Sequence, residues 1–454
     1  MSLIQKYNVP APRYTSYPTV PYWEAERFSA AGYIDAVQRS FDETNASEGI
    51  SLYIHLPFCE TLCTFCGCNK RITKNHAVEG SYLDAVLQEW QLYLDRLSGR
   101  PIIRDLHLGG GSPTFFAPEN LAKLMAGIMA GADRHPQASF SFEANPVTVQ
   151  RAHLFTLREW GFDRVSFGIQ DFDPKVQEII NRVQPYELVQ QATDWAREAG
   201  YIGINYDVVF GLPFQTEASI HDTFEKIATL RPDRIAYYSY AHVPWIKGNG
   251  QRRFSEKDLP QDQEKRRLYE IGCAHLLDLG YVELGMDHFA LPHDALYQAA
   301  QRGNMHRNFM GYVEARTDLM IGLGVSAIGD AWYGFAQNEK KIEAYYARLA
   351  QGELPVFRGH LLSEEDLLLR QHILNLMCRF ETDWTKPERQ GPGLVAALVR
   401  LCELQQDGLV AADHPAQRLR VTEAGRPFVR NVCMAFDARL YADKPQAQLF
   451  SMSI

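Results

Sequence analysis

Between residues 50 and 240 the chain alternates short β-rich runs with amphipathic helical patterns, and this alternation restricts the fold more than any other feature. The β-rich runs are SLYIHL (51–56), RDLHLGG (104–110), FSFEA (140–144), RVSFGIQ (164–170), INYDVVFG (204–211) and RIAYYSY (234–240). Apolar residues recur at spacings of three and four over 80–98, 119–131, 149–160, 186–199 and 216–230. The alternation predicts a parallel sheet with helices outside. Six units are too few for an eight-fold barrel, so we expect a partial (β/α)6 barrel.

The segments that flank this region predict two additions to the barrel. Residues 1–35 are rich in Pro, Tyr and Ser, which indicates an extended N-terminal arm that packs on the rest of the protein. We assign 36–310 to the barrel and 311–454 to a mainly helical C-terminal domain. A helix at 394–406 followed by two short strands predicts a winged-helix-like element, which we interpret as a cap on the barrel.

The composition limits the classes of function. The formal net charge is −9, and the one short basic cluster, KGNGQRR (247–253), is that of an ordinary solvated loop, so we expect no nucleic-acid partner. No run approaches the ~20 apolar residues that span a bilayer, and the N-terminus lacks the apolar core of a signal peptide. We therefore expect a cytoplasmic protein with no membrane partner. The absence of a heptad pattern or a large apolar stripe favours a monomer.

Four of the eight cysteines crowd into CETLCTFCGC, directly after the first predicted strand. A disulfide framework is unexpected in a reducing compartment. Structural zinc generally uses two separated pairs of ligands, and no second pair is present. An iron–sulfur cluster, which needs converging thiolates, is the favoured reading, with zinc retained as an alternative.

The spacing Cys59-x3-Cys63-x2-Cys66 supplies three thiolates, which on a four-iron cluster leave one iron without a protein ligand. This segment resembles the signature of the radical S-adenosylmethionine superfamily, including the aromatic Phe65 before the last cysteine. In that superfamily S-adenosylmethionine binds the open iron, and electron transfer yields a 5′-deoxyadenosyl radical. Cys68 is then a surplus thiol, either incidental or with a distinct role near the reacting centre.

Further motifs occur in order along almost the whole chain. They are PRYTSYP, YIHLPFC with CGCNK, GGGSPT, SFGIQDF, INR, YDVVFGLP, YAH, MDHFA, HRNF-GY, GLGVSAI and RNVCMAFD. Together they resemble the bacterial oxygen-independent coproporphyrinogen III oxidases, also called dehydrogenases. Haem chaperones and other tetrapyrrole-modifying radical enzymes are related, but they typically lack the cysteine at position 68, so Cys68 favours the oxidases.

The resemblance implies a role for each matching residue. Cys59, Cys63 and Cys66 are the expected ligands of a 4Fe–4S cluster, and Cys68 and Tyr53 the expected catalytic residues. One S-adenosylmethionine would contact Tyr53, Gly109, Glu143 and Ile328. A second would contact Phe65, Gly110, Gly111, Gln170, Arg182, Asp207 and Ala241.

The residue types suit these roles, although each has a simpler structural explanation. Glycines allow close approach of the backbone to a ligand but also form tight turns. Carboxylates such as Glu143 and Asp207 suit a ribose diol or an ammonium group but also cap helices. Tyr53 and Phe65 offer aromatic surface to a sulfonium, and Arg182 can hold a carboxylate through two hydrogen bonds.

The resemblance also implies the reaction, in which two propionates of coproporphyrinogen III become vinyl groups. We expect a flavodoxin- or ferredoxin-like electron donor and an electron acceptor that the sequence does not identify. Arg13, Lys70 and Arg307 are candidates for binding the substrate carboxylates. Three histidines, His55, His288 and His306, also lie in matched segments, where a core or supporting role is the simpler interpretation.

Three departures from the family pattern bear on the substrate. Met310 stands where the family often has Gln, VEARTDLM (313–320) replaces a threonine-rich stretch, and Asn145 follows where some members carry Asp. The rival functions left open are a haem-binding chaperone, a nucleic-acid binder that uses the winged-helix-like element, and a structural zinc protein.

Overall fold

The structure is a computed structural model that describes residues 2–243, 251, 253–443 and 449–453, so most of the basic cluster at 247–253 lies outside it. The described residues form these strands: β1 (Ile50–Leu56), β2 (Phe58–Cys59), β3 (Arg71–Ile72), β4 (Ile102–Gly110), β5 (Asp133–Ala144), β6 (Phe162–Gln170), β7 (Gly203–Phe210), β8 (Arg234–Ser239), β9 (Val282–Gly285), β10 (His288–Ala290), β11 (His306–Asn308), β12 (Gly311–Val313), β13 (Leu319–Leu323), β14 (Ile328–Ala331), β15 (Gly334–Asn338), β16 (Val356–Leu361), β17 (Glu381–Asp383), β18 (Val410–Asp413) and β19 (Arg418–Val421).

The described helices are as follows: α1 (Leu3–Tyr7), α2 (Ala30–Thr44), α3 (Val78–Leu94), α4 (Pro118–Ala130), α5 (Arg151–Glu159), α6 (Pro174–Ile179), α7 (Tyr186–Glu198), α8 (Glu217–Leu230), α9 (Asp262–Asp278), α10 (Ala295–Gln301), α11 (Ile342–Ala350), α12 (Glu364–Arg379), α13 (Pro392–Arg400), α14 (Cys402–Gln406), α15 (Val429–Phe436) and α16 (Ala438–Ala442). The five predicted helices of the barrel correspond to α3, α4, α5, α7 and α8. The first of them ends at Leu94 rather than at 98, because Ser98, Gly99 and Pro101 disfavour its continuation.

One large sheet dominates the described structure. Its strand order is β16-β15-β14-β13-β1-β4-β5-β6-β7-β8-β10-β9. The seven strands from β13 to β8 pair in parallel, and the outer strands pair antiparallel. The six predicted strands are β1 and β4 to β8, so the predicted parallel (β/α)6 unit is confirmed.

The sheet continues beyond the barrel that the sequence predicts. Strand β13, every residue of which is buried, pairs in parallel with β1, and β14 to β16 extend the edge as far as Leu361. These strands are four to six residues long and follow one another without intervening helices until α11, which is why alternation did not reveal them. The division at residue 311 remains a prediction.

The N-terminal arm packs on the C-terminal segment, as expected. Tyr7, Tyr14 and Tyr17 are buried in one apolar cluster with α12 and α15. The Tyr14 hydroxyl donates to Asp437, and the Arg430 guanidinium donates to the Pro12 carbonyl at 3.0 Å. The arm also contains the short helix α1 and two 3-10 turns.

The C-terminal segment contains the expected winged-helix-like element. Helices α13 and α14 precede the β18–β19 hairpin, which pairs with β17. In the part of the chain that the structure covers, no helix is long and apolar enough to cross a membrane.

Candidate active site

The cysteine loop, residues 59–70, follows the fully parallel strand β1 and is fixed at both ends. Its end returns beside its beginning, because Arg71 N–H donates to the Pro57 carbonyl at 2.8 Å and Thr73 N–H to the Cys59 carbonyl at 2.9 Å. Its middle rests on the end of α6, where Thr64 N–H donates to the Ile180 carbonyl at 2.9 Å. The loop therefore lies at the C-terminal edge of the parallel sheet, where α/β enzymes carry their chemistry.

The thiols of this loop act on one another. A hydrogen bond from Cys68 lowers the pKa of the Cys66 thiol to about 6 against the effect of burial. Burial, and then the charges of Cys66 and Cys63, raise the pKa of Cys59 to about 12. Cys68 is exposed, whereas Cys59, Cys63 and Cys66 are half-buried. Three neighbouring thiols on one loop form the donor set that an iron–sulfur cluster requires.

The structure does not arrange these thiols as a site for a single metal ion. Among the residues that the structure describes, no three His, Cys, Asp or Glu side chains could hold a metal ion together. The fit to a cluster therefore rests on the donor set, three cysteines on one loop, and not on a preformed metal site.

Arg182 lies against the cysteine loop. Its guanidinium Nη1 is 3.6 Å from the Cys63 sulfur, and its Nε and Nη2 donate to the Gly168 carbonyl at 3.1 and 2.8 Å. The carbonyl fixes the planar group, which leaves a positive charge beside the thiols. Such a charge stabilises thiolates and can also bind a carboxylate.

The three glycines at and just after the end of β4, Gly109 to Gly111, are in close contact with other parts of the protein. Gly110 has φ +114°, and a Cβ there would lie 2.6 Å from the His55 ring. A Cβ on Gly111 would lie 2.6 Å from the Pro57 carbonyl oxygen. Gly109 instead faces site residues, because a Cβ there would lie 3.1 Å from the Tyr53 ring and 3.2 Å from Glu143 Oε1. The protein's own packing is thus sufficient to exclude a side chain at Gly110 and Gly111, whereas a Cβ at Gly109 would face Tyr53 and Glu143.

Tyr53 and His55 connect β1 to the cysteine loop. Tyr53 Oη is 3.0 Å from His55 Nδ1, and His55 Nε2 is 2.9 Å from the Asn69 carbonyl. The Tyr53 ring stacks on His107, with 6.1 Å between centroids. Burial, the Glu143 carboxylate and Cys68 raise the pKa of Tyr53, so its hydroxyl stays neutral.

Glu143 ends β5 beside this group. Burial alone would raise the pKa of its carboxyl, but His107 and the Gly110 N–H, which donates at 3.2 Å, hold the pKa below the ordinary value. The His107 Nε2 lies 3.6 Å from Glu143 Oε1. A carboxylate that stays ionised at the end of a strand can accept hydrogen bonds from a ligand's hydroxyl or ammonium groups.

Asp207 lies two strands further along the same edge. It accepts hydrogen bonds from Ser166 at 3.0 Å and from Asn205 at 2.9 Å. Burial and the nearby charge of Glu143 nevertheless raise its pKa to about 6. Gln170, with φ +65°, ends β6, and its Oε1 accepts from Tyr238 at 3.5 Å.

The remaining predicted cofactor residues, Phe65, Ala241 and Ile328, are tied to the site by contacts of their backbone carbonyls. Gln251 Nε2 donates at 3.0 Å both to the Phe65 carbonyl and to the Ala241 carbonyl, which brings those two residues to one place. Ile328 begins β14, and its carbonyl packs closely against Gly322. Gly322 in turn lies opposite Tyr53 in the pairing of β13 with β1. The predicted residues therefore lie along one edge of the parallel sheet and the adjoining loops.

The expected carboxylate ligands all contact protein groups, but the buried Nη1 of Arg307 has no hydrogen-bond partner among the described residues. Arg13 pairs with Asp287 at 2.8 Å, and Lys70 donates to the Cys66 and Cys68 carbonyls. Arg307 is buried and donates to the Arg13 carbonyl. Burial lowers the pKa of both His288 and His306 to about 3, which agrees with core roles.

Sequence reasoning missed His107 and Tyr238. His107 lies in register with Tyr53 on β1 and Ser141 on β5, and it links the tyrosine to Glu143. The available signal was alternation within RDLHLGG, which places His107 and Gly109 on the same face of β4. Met310, one of the departures, lines a small interior cavity of about 170 Å³ with Glu143 and Asp207.

The comparisons with known proteins agree with this geometry. The family model described as "Radical SAM superfamily" matches residues 53–227. The curated oxygen-independent coproporphyrinogen III oxidase of Escherichia coli is 38% identical over 100% of this chain and 98% of that protein. The protein of that name from Synechocystis is 36% identical over 100% of this chain and 97% of its own length.

A solved structure gives the same result. The structure described as "Coproporphyrinogen III oxidase (HemN) from Escherichia coli is a Radical SAM enzyme" matches with a TM-score of 0.88 and 36% identity. The match covers 94% of this chain and 97% of that one. This chain therefore belongs to the oxygen-independent coproporphyrinogen III oxidase family of the radical SAM superfamily.

Proposed function

We propose that this protein catalyses the oxygen-independent oxidative decarboxylation of two propionates of coproporphyrinogen III to vinyl groups, giving protoporphyrinogen IX in haem biosynthesis. The observation that carries the proposal is the placement of the three-thiol loop beside Tyr53 and Glu143 at the C-terminal edge of a parallel sheet. The same chain matches enzymes of this name over its full length.

Cys59, Cys63 and Cys66 would hold a 4Fe–4S cluster with one iron left for S-adenosylmethionine. When bound, the cluster and S-adenosylmethionine would supply the radical chemistry that hydrogen removal from the propionate β-carbon requires. The charges of Arg182 and Lys70 favour the thiolate form of Cys66. These two residues therefore support the ligands that the cluster needs.

Two sets of residues would bind two S-adenosylmethionine molecules. The first set is Tyr53, Gly109, Glu143 and Ile328, which adjoin one another through the Tyr53–Gly322 register and the Gly109 contacts. The second set is Phe65, Gly110, Gly111, Gln170, Arg182, Asp207 and Ala241. Within it, Arg182 offers a fixed guanidinium to a carboxylate, and Asp207 offers a buried carboxylate to an ammonium or a ribose.

Cys68 and Tyr53 are proposed to act near the reacting centre. Cys68 is an exposed residue of the loop, and its hydrogen bond to Cys66 supports a role beside a cluster ligand. Tyr53 keeps its proton and is fixed by His55 and His107. It can therefore orient a ligand without taking part in acid–base exchange.

The electron-transfer partners and the oligomeric state are also proposals. A flavodoxin- or ferredoxin-like protein would donate the electron, an acceptor of unknown identity would take the electron released with CO₂, and the protein would act as a monomer. The cytoplasmic location stays a prediction.

Anaerobic turnover tests the function. Reconstituted protein would be incubated with S-adenosylmethionine, reductant, cell extract as a source of acceptor, and coproporphyrinogen III, with Cys63→Ala as the inactive control. We expect 5′-deoxyadenosine and a tetrapyrrole lighter by two CO₂ and four hydrogens, both absent from the control. Stoichiometric haem binding with neither product would instead indicate a chaperone.

A further inference from the structure

A large cavity lies between the barrel, the N-terminal arm and the C-terminal segment. Its volume is about 1140 Å³, above the ~300–1,000 Å³ typical of small-molecule sites. It opens at the ends of β7 and β8 and is bounded by α9 and by residues 426–430. Phe210, Tyr240, Tyr269 and Phe380 contribute aromatic surface. The cavity therefore suits a large ligand with flat apolar faces.

The wall of this cavity is positively charged, although the chain has a formal net charge of −9. Among the described residues that line it, the cations are Arg13, Lys265, Arg266, Arg267, Arg426 and Arg430. The carboxylates that line it are Glu270, Glu283 and Asp287. A concave wall with an excess of cations attracts an anionic ligand and raises its local concentration.

Most of these cations already have partners. The ion pairs are Arg13–Asp287 at 2.8 Å, Arg266–Glu270 at 2.9 Å, Arg267–Glu217 at 3.6 Å and Arg426–Glu423 at 3.1 Å. Arg430 donates to the carbonyls of Pro12 and Met452, among others. The charges of these arginines are therefore at least partly satisfied by groups of the protein itself.

Within the described part of the chain, Lys265 differs from the paired arginines because it forms no ion pair, and from Arg430 because it makes one hydrogen bond rather than several. It lies in the first turn of α9, and its ammonium donates to the Tyr240 carbonyl at 3.0 Å but forms no ion pair with a carboxylate of the described residues. Burial, and then the charge of Arg13, lower its pKa to about 8. A desolvated ammonium of this kind gains most from an anion that enters the cavity with the ligand.

The cavity also adjoins the site of chemistry. Ala241 lines it, and Gln251 joins the Ala241 carbonyl to that of Phe65 in the cysteine loop, with both hydrogen bonds at 3.0 Å. A ligand in the cavity would therefore lie beside the loop that carries the cluster ligands.

We infer that Lys265 binds a propionate carboxylate of the tetrapyrrole substrate in this cavity. The inference rests on the proposed function, because coproporphyrinogen III carries four propionates on an apolar macrocycle. The aromatic wall contacts the macrocycle, and the Lys265 ammonium pairs with a carboxylate that does not react. Lys265 is thus a specificity residue for tetrapyrroles that retain a propionate at that position.

Binding of coproporphyrin III, the stable oxidised form, tests the inference on the cluster-reconstituted protein by fluorescence titration. The variants are Lys265→Met, which keeps the length of the side chain, Lys265→Arg, which keeps the charge, and Arg267→Met as the control. Arg267 lies on the same wall but is exposed and paired with Glu217. Cluster absorbance and melting temperature, measured for every variant, report whether the fold is retained.

Loss of a charge-assisted hydrogen bond predicts a Kd about 10 to 100 times higher for Lys265→Met. Lys265→Arg should stay within about threefold of the parent, because its charge replaces that of lysine, and Arg267→Met should stay within about twofold, because it removes no ligand contact. In turnover, KM should rise more than kcat falls, because a non-reacting carboxylate is held equally in the ground and transition states.

Either of two results with the variants would overturn the inference: Lys265→Met binds as tightly as the parent protein, or Arg267→Met loses as much affinity as Lys265→Met. The second result would show that the ligand responds to the overall positive charge of the cavity wall and not to a specific ion pair with Lys265. Parent protein that fails to bind coproporphyrin III also refutes it. Failure of the proposed function would appear separately, as parent protein that binds coproporphyrin III but does not convert coproporphyrinogen III.

Discussion

Replacing Asp207 with Asn should stabilise the folded protein while it removes activity. The carboxyl is buried in the second half of β7, and burial together with Glu143 raises its pKa from the ordinary 3.8 to about 6. A group whose pKa is raised by folding stabilises the folded state below its unfolded pKa and loses that contribution as the pH rises through the folded value. Above about pH 6 the ionised Asp207 therefore opposes folding.

The size of the effect follows from the same values. Each tenfold change in an ionisation constant is worth about 1.4 kcal/mol, so a rise from 3.8 to about 6 amounts to about 3 kcal/mol. Asn keeps one acceptor for Ser166 or Asn205 and replaces the other with a donor, which removes about 1 kcal/mol of hydrogen bonding. Asn205 Oδ1 has no hydrogen-bond partner among the described residues, so after a flip of that amide the oxygen can accept the new hydrogen bond. The net gain at pH 8 should be about 1–3 kcal/mol.

Urea unfolding of the reconstituted protein at pH 8 and pH 5 measures this gain. We expect Asp207→Asn to have the higher midpoint at pH 8, with the difference narrowing at pH 5, where the parent carboxyl is protonated. Asp84→Asn, on the exposed surface of α3, is the control and should change neither midpoint by more than the error. The reasoning is refuted if Asp207→Asn is less stable at pH 8, or if its advantage does not depend on pH. Loss of 5′-deoxyadenosine formation should accompany the stabilisation, and retained activity would contradict the proposed ligand role.

Three further changes have defined outcomes. Cys68→Ala should retain the cluster's visible absorbance and acid-labile sulfide, whereas alanine at any of the three proposed ligands should abolish both. Gly111→Ala should lower cluster content and stability, because its Cβ would lie 2.6 Å from a backbone carbonyl, and Gly80→Ala, which meets nothing within 4 Å, should not. Burial raises the pKa of Glu89 to about 7, so the parent should lose about 3 kcal/mol of stability as the pH rises from about 4.5 through 7. Glu89→Gln should flatten that dependence in urea titrations.

The barrel could be predicted because its signal is local. Each of the six strands is a short β-rich run, and each of the five helices between them shows a repeat of three and four, so the sequence specifies both elements without reference to distant contacts. The edge strands β13 to β16 lack that support. They become strands because β13 pairs with β1, a contact between Ser51 and Met320 that no local pattern encodes.

In the candidate site, too, the features set by local sequence could be predicted and those set by tertiary contacts could not. The cysteine spacing and the positions of Glu143 and Asp207 late in their strands could be predicted, because both follow from chain order. The Gln251 bridge between Phe65 and Ala241 and the stacking of His107 on Tyr53 depend on tertiary contacts and could not. The lack of an ion pair at Lys265 among the described residues likewise emerges only from the tertiary structure.

The central claim is that Cys59, Cys63 and Cys66 leave one iron of the cluster open to S-adenosylmethionine. Electron–nuclear double resonance on the reduced, reconstituted protein tests it, with S-adenosylmethionine isotopically labelled in its amino and carboxylate groups. Coupling between the label and the cluster, present in the parent protein and retained in Cys68→Ala, is the predicted result. A cluster whose spectrum shows no coupling to the label, or whose fourth iron is bound by Cys68, would contradict the account.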